Sequence, residues 1–441
     1  MGQAQNGVSA ANVDRPPVSP RAQRAAAKAA EDANKTRARH YTILIIAIAF
    51  DYLRPQSFLI PALSYLKIPM FLMLALIWLV VKERKRIGPD IQLKLAAIIL
   101  VESIIWVPLA VNNYFAFNNV FNLVLYFASV LLSAKLLCDT EEMTKKFIRH
   151  WVWIMAVLAV IVMSRGGVGP GSFVEDENDV CAVLVAGIPF AFWCRKHVAK
   201  TTMQRMVFLA LALVIILAAA YTRSRGGFLG LIASLAVTWW YTRNRIRTLL
   251  IAAVSVAVLG SAAMTVMPKG YFAEMETMED PNDSTKLDRF KHWWTAWYMY
   301  KDNPVFGVGP GNYPWHHQDY VIYTKYYNPN GRMGAGRQSH SLYFTLLPEL
   351  GTVGALSYLG MLFFAFRRLN FIHSRTSGRA QKTDTPASPA IADLAGATLA
   401  SLAGILVAGT FISIYWYETS WQWLMMYWAV DNVYRKSELK T

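Results

Sequence analysis

Residues 206–247 read MVFLALALVIILAAAYTRSRGGFLGLIASLAVTWWYTRNRIR, and the rest of the chain repeats the pattern of this stretch. Two apolar runs, 206–222 and 226–241, are nearly long enough to cross a bilayer as helices. A short turn containing Arg223 and Arg225 separates them, and the basic cluster 243–247 follows the second run. Apolar runs that alternate with basic clusters are typical of polytopic membrane proteins.

The composition of the whole chain agrees with this pattern. Of the 441 residues, 55% are hydrophobic and 16% are charged, whereas soluble globular proteins have about 45–50% apolar and about 25% charged residues. The sequence therefore predicts an all-α, polytopic transmembrane helical bundle of about 12 spans, and it excludes a soluble enzyme, a disordered protein and a nucleic-acid-binding domain. The predicted spans are approximately 41–60, 68–82, 93–111, 117–137, 151–165, 178–194, 206–222, 226–241, 248–267, 341–366, 391–411 and 419–434.

The net charge of +16 is interpreted as a topology signal. With the N-terminus placed in the cytoplasm, 30 of the 44 Lys and Arg residues fall in segments that the positive-inside rule assigns to the cytoplasm. Both termini are then cytoplasmic: 1–40 is predicted to be a disordered basic tail and 435–441 a short tail. Asp51, Arg54 and Pro55 interrupt the first run, which predicts either a full span or a short helix followed by a re-entrant segment.

The three cysteines are too few for a disulfide framework. Cys138 and Cys194 border segments placed in the cytoplasm, where thiols remain reduced. Cys181 is placed near the opposite face and has no partner there. All three are predicted to be packing residues.

Residues 268–340 are predicted to form one large, partly helical periplasmic loop between spans 9 and 10, which separates spans 1–9 (41–267) from spans 10–12 (341–434). The loop contains eight basic and eight acidic residues and many aromatic residues. Its segment Leu287–Tyr300 has the spacing of an amphipathic helix that places Trp293 and Trp297 on one face. Such rings suit stacking on sugars or anchoring at the membrane interface, and both interpretations stay open.

The turn around Arg225 is the first candidate binding site. Arginines on the outer side oppose the topological bias, and arginines at a membrane boundary tend to be functional. Two guanidinium groups beside Gly226 and Gly227 suit a phosphate or pyrophosphate, because arginine binds phosphate oxygens in a bidentate manner. The alternative is that Arg223 and Arg225 extend to lipid headgroups.

Two clusters were considered as metal sites. The acidic run Glu175, Asp176, Glu177 and Asp179 offers oxygen ligands for a divalent cation, but acids also favour a helix N-terminus. His316 and His317 are adjacent, and adjacent histidines rarely point the same way. The prediction is that the protein uses no metal and no cofactor.

A motif at the end of the large loop resembles that of the O-antigen ligase family. His340-Ser341 is followed by nine residues and then by Gly351-Thr352-Val353-Gly354, which fits the family pattern of His, Asn/Ser/Gln, nine residues, Gly, two residues and Gly/Thr/Tyr. The segment Pro304–Tyr313, the turn Ser224–Gly226, Arg289 before the Trp-rich helix and the acidic run 175–179 also look like landmarks of that family. The resemblance covers roughly residues 150–430.

This resemblance implies a metal-independent, inverting membrane glycosyltransferase. It would transfer a glycan from an undecaprenyl-pyrophosphate carrier to an acceptor hydroxyl on the periplasmic side of the bacterial inner membrane. His340 would act as the base on the acceptor, and Arg225 and Arg289 would hold the pyrophosphate. The predicted substrate-binding residues are Arg223, Trp293, Trp297, Tyr313 and Arg337. The chemistry of these side chains agrees, since positioned arginines stabilise a leaving diphosphate and histidine can deprotonate a hydroxyl.

Several functions remain open at this point. The acceptor could be lipid A–core, another glycan or a protein, so a ligase, a polymerase of O-antigen or exopolysaccharide and a protein O-oligosaccharyltransferase all fit. A transporter or flippase of polysaccharides or lipid-linked sugars is the alternative of another class. No internal repeat is evident, although transporters commonly have one, and the charged candidates cluster at one face rather than at the midplane.

Overall fold

The computed structural model describes residues 20–58, 65–242, 244–246, 284–329, 337–376 and 388–439, and within these ranges it is all-α without any strand. The all-α class predicted from the sequence is therefore confirmed. The helices are α1 (Pro20–Leu53), α2 (Ile68–Glu83), α3 (Ile91–Trp106), α4 (Asn113–Leu137), α5 (Glu141–Ser164), α6 (Glu177–His197), α7 (Thr202–Tyr221), α8 (Arg225–Trp240), α9 (Ser284–Asp302), α10 (Tyr313–Val321), α11 (Leu342–Thr376), α12 (Pro389–Gly409) and α13 (Trp423–Glu438).

Six of these helices, α4, α5, α6, α7, α11 and α12, are long and apolar enough to cross a membrane. The chain is thus a membrane protein. The helices at four other predicted spans, α2, α3, α8 and α13, have 16 residues each. The predicted span 248–267 lies outside the described residues, so the count of twelve stays a prediction.

The N-terminal region differs from the sequence-based expectation. Helix α1 begins at Pro20, so residues 20–40 are helical where a disordered tail was predicted. Alanine, lysine, arginine and glutamate are strong helix formers, and Lys35 pairs with Glu31 one turn earlier (2.7 Å). The helix ends at Leu53, and Arg54 follows with a positive φ of 46°. The interruption expected there is confirmed.

Helix α12 lies at the centre of the bundle. It packs against α6, α8 and α11, and it is buried over nearly its whole length. Its small side chains, mostly Ala and Gly, allow these neighbours to approach closely. Beyond Gly409 the chain forms an irregular segment, 410–422, whose Phe411 and Ser413 reach the candidate site described below.

Helix α11 is broken at Gly351, whose φ of 56° and ψ of −158° are not helical. The break divides α11 into a short arm, 342–350, and a long arm, 352–376. This conformation is essentially restricted to glycine. A Cβ atom on Gly351 would also lie 2.4 Å from the Val305 carbonyl carbon. The nine residues between Ser341 and Gly351 in the sequence motif are the short arm itself.

The loop 303–312 satisfies the backbone groups that the break leaves without helical partners. Two amides of the loop donate to the last carbonyls of the short arm, and two amides of the long arm donate to carbonyls of the loop. These bonds are Val308 N to Pro348 O (2.8 Å), Gly309 N to Glu349 O (3.0 Å), Thr352 N to Pro304 O (2.8 Å) and Val353 N to Val305 O (3.1 Å). A break at membrane depth requires such partners because lipid offers none. The segment Pro304–Tyr313 and the motif that begins at His340 are therefore one structural unit.

Candidate functional site

Three separate segments meet around the ring of Phe411. The Cζ atom of Arg289, near the start of α9, lies 5.4 Å from the centroid of this ring. Gly226 packs against the same residue so closely that a Cβ atom there would be 2.7 Å from the Phe411 Cβ. Arg225 directly precedes Gly226 as the first residue of α8. Phe411 is thus the contact that links the segments carrying the two predicted pyrophosphate-binding arginines.

The turn before α8 holds Arg225 through a helix cap. The hydroxyl of Ser224 accepts a hydrogen bond from the Gly227 amide (2.9 Å), which is the usual contact of an N-cap residue. Arg223 precedes the cap with a positive φ of 59°, a conformation that is uncommon outside glycine. Two arginines therefore flank a helix N-terminus, where the helix dipole also favours an anion.

His340 is exposed at the start of the short arm of α11 and also has a positive φ, of 52°. The serines on either side fix this conformation. The Ser339 hydroxyl contacts Thr345 Oγ1 (2.6 Å) and Ser413 Oγ (3.3 Å), and Ser341 Oγ caps the arm by accepting from the Phe344 amide (3.4 Å). Uncommon backbone conformations that their surroundings enforce occur often at functional sites.

The surroundings of His340 favour its neutral form. Loss of hydration lowers the pKa of the imidazole, and the positive charges of Arg289 and, less strongly, Arg337 lower it further, while Asp176 and Asp288 act in the opposite direction. A neutral imidazole can accept a proton, which is the state that a general base requires. The charge of Arg289 therefore adds to the loss of hydration in favouring the neutral imidazole of His340.

Two more histidines lie beneath His340. The ring of His292 is 5.9 Å from that of His340 and 4.7 Å from that of His317. Tyr313 supports His292, because its hydroxyl donates to the His292 carbonyl (3.0 Å) and lies 3.1 Å from Nδ1. Both ring nitrogens of His317 are buried without a hydrogen-bond partner. His292 and His317 thus form a buried imidazole cluster next to His340, and the sequence analysis did not identify this cluster.

The buried histidines predict that the loop containing His292 and His317 becomes less stable at acid pH. Burial lowers the pKa of His317 to about 4, and burial with the charges of His317 and His340 lowers that of His292 to about 3. Unfolded histidines bind protons below about pH 6.5, so the unfolded loop takes up protons first and stability falls as the pH drops from about 6.5 towards 4. The slope is up to about 1.4 kcal/mol per pH unit for each histidine.

The measurement for this prediction is the proteolytic susceptibility of the loop between pH 7 and pH 4.5, followed together with tryptophan fluorescence. A His317→Leu protein should lose part of the pH dependence. Identical pH profiles for the wild type and this variant would contradict the assignment.

Glu349 is a second residue that the sequence analysis missed. Its carboxylate is fully buried at the end of the short arm and accepts hydrogen bonds from the Gly311 amide (2.8 Å), the Tyr313 amide (3.1 Å) and the Trp416 indole. A carboxylate at a helix C-terminus opposes the helix dipole, so these three donors are needed to stabilise it. The only signal in the sequence was a single acid within an apolar run.

The predicted substrate-binding residues occupy different positions. Arg223 and Arg337 are exposed, and Arg337 pairs with Asp288 (3.5 Å). Trp293 stacks on Phe344 (ring centroids 5.3 Å apart) within the site wall. Trp297 is exposed one turn further along α9 and contacts Tyr300. The predicted helix Leu287–Tyr300 is confirmed as part of α9.

The position of Tyr313 does not agree with its predicted role as a substrate-binding residue. Its side chain is fully buried, and its hydroxyl is bonded to His292. A ring in this position cannot touch a substrate in the site. Its place in the structure is that of a support for the histidine cluster.

The two clusters considered as metal sites have other contacts. Asp176 caps α6 by accepting from the Asn178 amide (2.8 Å), as a helix N-terminus predicts. His316 lies 3.6 Å from Asp319, whereas His317 is buried towards His292, so the adjacent pair diverges. Within the described ranges, no three His, Cys, Asp or Glu side chains converge closely enough to hold a metal ion. The three cysteines are buried thiols.

Comparison with known proteins agrees with this geometry. Residues 209–359 match the family model described as O-antigen ligase, and this range contains all eight predicted site residues, from Arg223 to His340. It also contains the break at Gly351 and the loop that supports it. No curated protein matches the chain. The chain therefore contains a region, residues 209–359, that is similar to the O-antigen ligase family.

Proposed function

We propose that this protein transfers a glycan from a polyprenyl-pyrophosphate carrier, undecaprenyl pyrophosphate in bacteria, to an acceptor hydroxyl. The observation that carries the proposal is the arrangement around Phe411, where Arg289 and the helix of Arg225 meet at one end of the bundle beside His340. A site for this reaction needs cations for a diphosphate and a neutral base for a hydroxyl. This arrangement supplies both, on a membrane protein that a lipid-linked donor can reach.

In the proposed reaction, the acceptor oxygen attacks the anomeric carbon of the donor sugar. A new carbon–oxygen bond forms while the bond from that carbon to the pyrophosphate oxygen breaks. The acceptor proton passes to His340, and the electron pair of the broken bond stays on the carrier pyrophosphate. Arg225, Arg289 and the N-terminus of α8 stabilise this charge. Attack opposite the leaving group inverts the anomeric centre.

The proposed location is the bacterial inner membrane, with the site facing the periplasm and both termini in the cytoplasm. The distribution of basic residues along the chain supports this orientation, because the positive-inside rule assigns most of them to the cytoplasm. The proposed transfer from an undecaprenyl-pyrophosphate carrier also implies the periplasmic side. The exposed arginines Arg223 and Arg337 lie at the rim of the site, where they would contact donor phosphate or sugar. Trp293 and Trp297 would contact the glycan.

The test is the glycan profile of a deletion strain that is complemented with wild-type protein or with His340→Ala. The proposal expects a carrier-linked glycan to accumulate, together with loss of one surface glycan, and expects recovery with wild type alone. Full-length chains on the carrier indicate a ligase or a protein glycosyltransferase, whereas single repeats indicate a polymerase. Accumulation of the carrier-linked glycan on the cytoplasmic side would contradict transfer and favour a flippase.

A further inference from the structure

The segment before α6 contacts the turn that carries Arg225, although it lies outside the family match at 209–359. Two of its residues, Asp176 and Asn178, connect it to the proposed site. Asp176 is exposed and lies within electrostatic range of His340. Asn178 contacts the turn that carries Arg225. The segment therefore touches the surroundings of both the proposed base and one of the proposed pyrophosphate-binding residues.

A chain of hydrogen bonds leads from Asp176 to the start of α8. One carboxylate oxygen of Asp176 accepts from both the backbone amide (2.8 Å) and the side-chain amide (2.9 Å) of Asn178. These bonds orient the Asn178 side chain so that its oxygen accepts from the Ser224 hydroxyl (2.7 Å). Because the same hydroxyl accepts from Gly227 and caps α8, Asn178 fixes the rotamer of the cap. Arg225, the next residue, is thereby held at its position.

The charges that face His340 come from three segments. Arg289 and Asp288 lie on α9, and Asp176 lies before α6. Arg337 lies in the irregular segment that leads to His340. The nearby imidazole of His292 is neutral at physiological pH. Asp288 is paired with Lys291 (2.7 Å) and Arg337 (3.5 Å). Asp176, by contrast, forms no salt bridge within the part of the chain that the structure describes. Of the two negative charges, Asp176 therefore raises the pKa of His340 more than Asp288 does.

We propose that Asp176 and Asn178 are positioning residues of the transfer site. Asn178 holds the cap that places Arg225, and the Asp176 carboxylate stabilises the imidazolium that forms when His340 takes up the acceptor proton. The catalytic part of this inference rests on the proposed function. The electrostatic link between Asp176 and His340 does not, and it can be measured without any transfer activity.

The first experiment measures that link directly. Full-length protein in detergent is treated with diethyl pyrocarbonate, which modifies neutral imidazole, and the modification of the His340 peptide is followed by mass spectrometry across pH. Asp176→Asn keeps a good helix cap and removes one negative charge. The midpoint for His340 should fall, because a negative charge that favours the imidazolium is lost. Glu175→Gln is the matched control, since it removes the same charge one residue away and should leave the midpoint unchanged.

An unchanged midpoint in Asp176→Asn, or an equal shift in both variants, would overturn the role of Asp176. A shift confined to Asp176→Asn in a protein that lacks transfer activity would support the electrostatic link and count against the proposed function alone. The two failures are therefore distinguishable.

The second experiment addresses Asn178. Asn178→Ala should raise the KM for the carrier-linked donor by about fivefold with a smaller fall in kcat, because the loss of one hydrogen bond costs on the order of 1 kcal/mol. Asn178→Asp retains an acceptor for Ser224 but loses the donor to Asp176, so it should recover only part of the loss. Equal KM values for the wild type and Asn178→Ala, with only thermal stability reduced, would overturn the positioning role.

Discussion

A His340→Ala protein is expected to insert and fold normally and to transfer glycan at least about 100-fold more slowly than wild type. The physical reason is the loss of the group that accepts the acceptor proton, since general base catalysis contributes about 10²–10⁴-fold. His340 is exposed, and its side chain is not part of the packed core, so stability should change little. The measurement is the rate of carrier pyrophosphate release in reconstituted membranes, with expression level and thermal stability measured in parallel.

His316→Ala is the matched control for this prediction. His316 lies in the same loop and pairs with Asp319 (3.6 Å). Its replacement should leave the rate nearly unchanged. If both histidine variants kept wild-type rates, His340 would not be the base.

The same argument extends to Arg225→Ala and Arg289→Ala. Each removes a cation from the proposed leaving group, and loss of one group that stabilises developing charge costs about 10²–10³-fold in kcat. Arg195→Ala is a suitable control because Arg195 is exposed in the last turn of α6, at the end opposite the Asp176 cap. Arg243, which the sequence analysis placed on the opposite face, lies outside the described residues. Normal rates in both arginine variants would remove the proposed pyrophosphate site.

Gly351→Ala is expected to lower the stability of the fold as well as the transfer activity. The new methyl group would lie 2.4 Å from the Val305 carbonyl carbon and 2.6 Å from the Gly307 amide. It would also impose a backbone conformation that costs a non-glycine residue about 1–3 kcal/mol. We expect a free energy of unfolding that is lower by about 3 kcal/mol or more, with loss of activity because the short arm carries His340.

Gly360→Ala is the control on the same helix. A Cβ atom on Gly360 would lie 3.4 Å from the nearest atom of Leu95, which is ordinary contact, and the residue is helical. Thermal denaturation in detergent and the amount of protein in the membrane are the readouts. Equal stability of the two variants would show that the break at Gly351 is not required.

The sequence predicted the fold class and the positions of most helices because hydrophobic runs in a membrane protein are long and their basic flanks are distinct. It also predicted the helix that contains Trp293, and the turn with Arg225 was a candidate from its residues, whereas the resemblance to O-antigen ligases added Arg289 and His340 to the same predicted site. Charged residues at a membrane boundary are conspicuous in a sequence when the surrounding residues are apolar.

The supporting structure could not be predicted in the same way. Glu349 resembles any isolated acid until its three donors are known, and two of those donors come from a loop about 40 residues earlier in the chain. The break at Gly351 depends on the backbone of Val305 and Gly307. Tyr313 was predicted to bind substrate because aromatic rings suit stacking on sugars, but its ring is buried and contacts His292, and its amide donates to Glu349. These are long-range contacts, which local patterns do not encode.

The most direct test of the central claim is an add-back experiment. Membranes from a deletion strain contain both the carrier-linked donor and the natural acceptor, so purified wild-type protein or His340→Ala is reconstituted into them in the presence of EDTA. The account predicts that the wild type moves glycan from the carrier to the acceptor and releases polyprenyl pyrophosphate, while His340→Ala does neither above background. Transfer by both proteins at equal rates, or no transfer by the wild type until a divalent cation is restored, would contradict it.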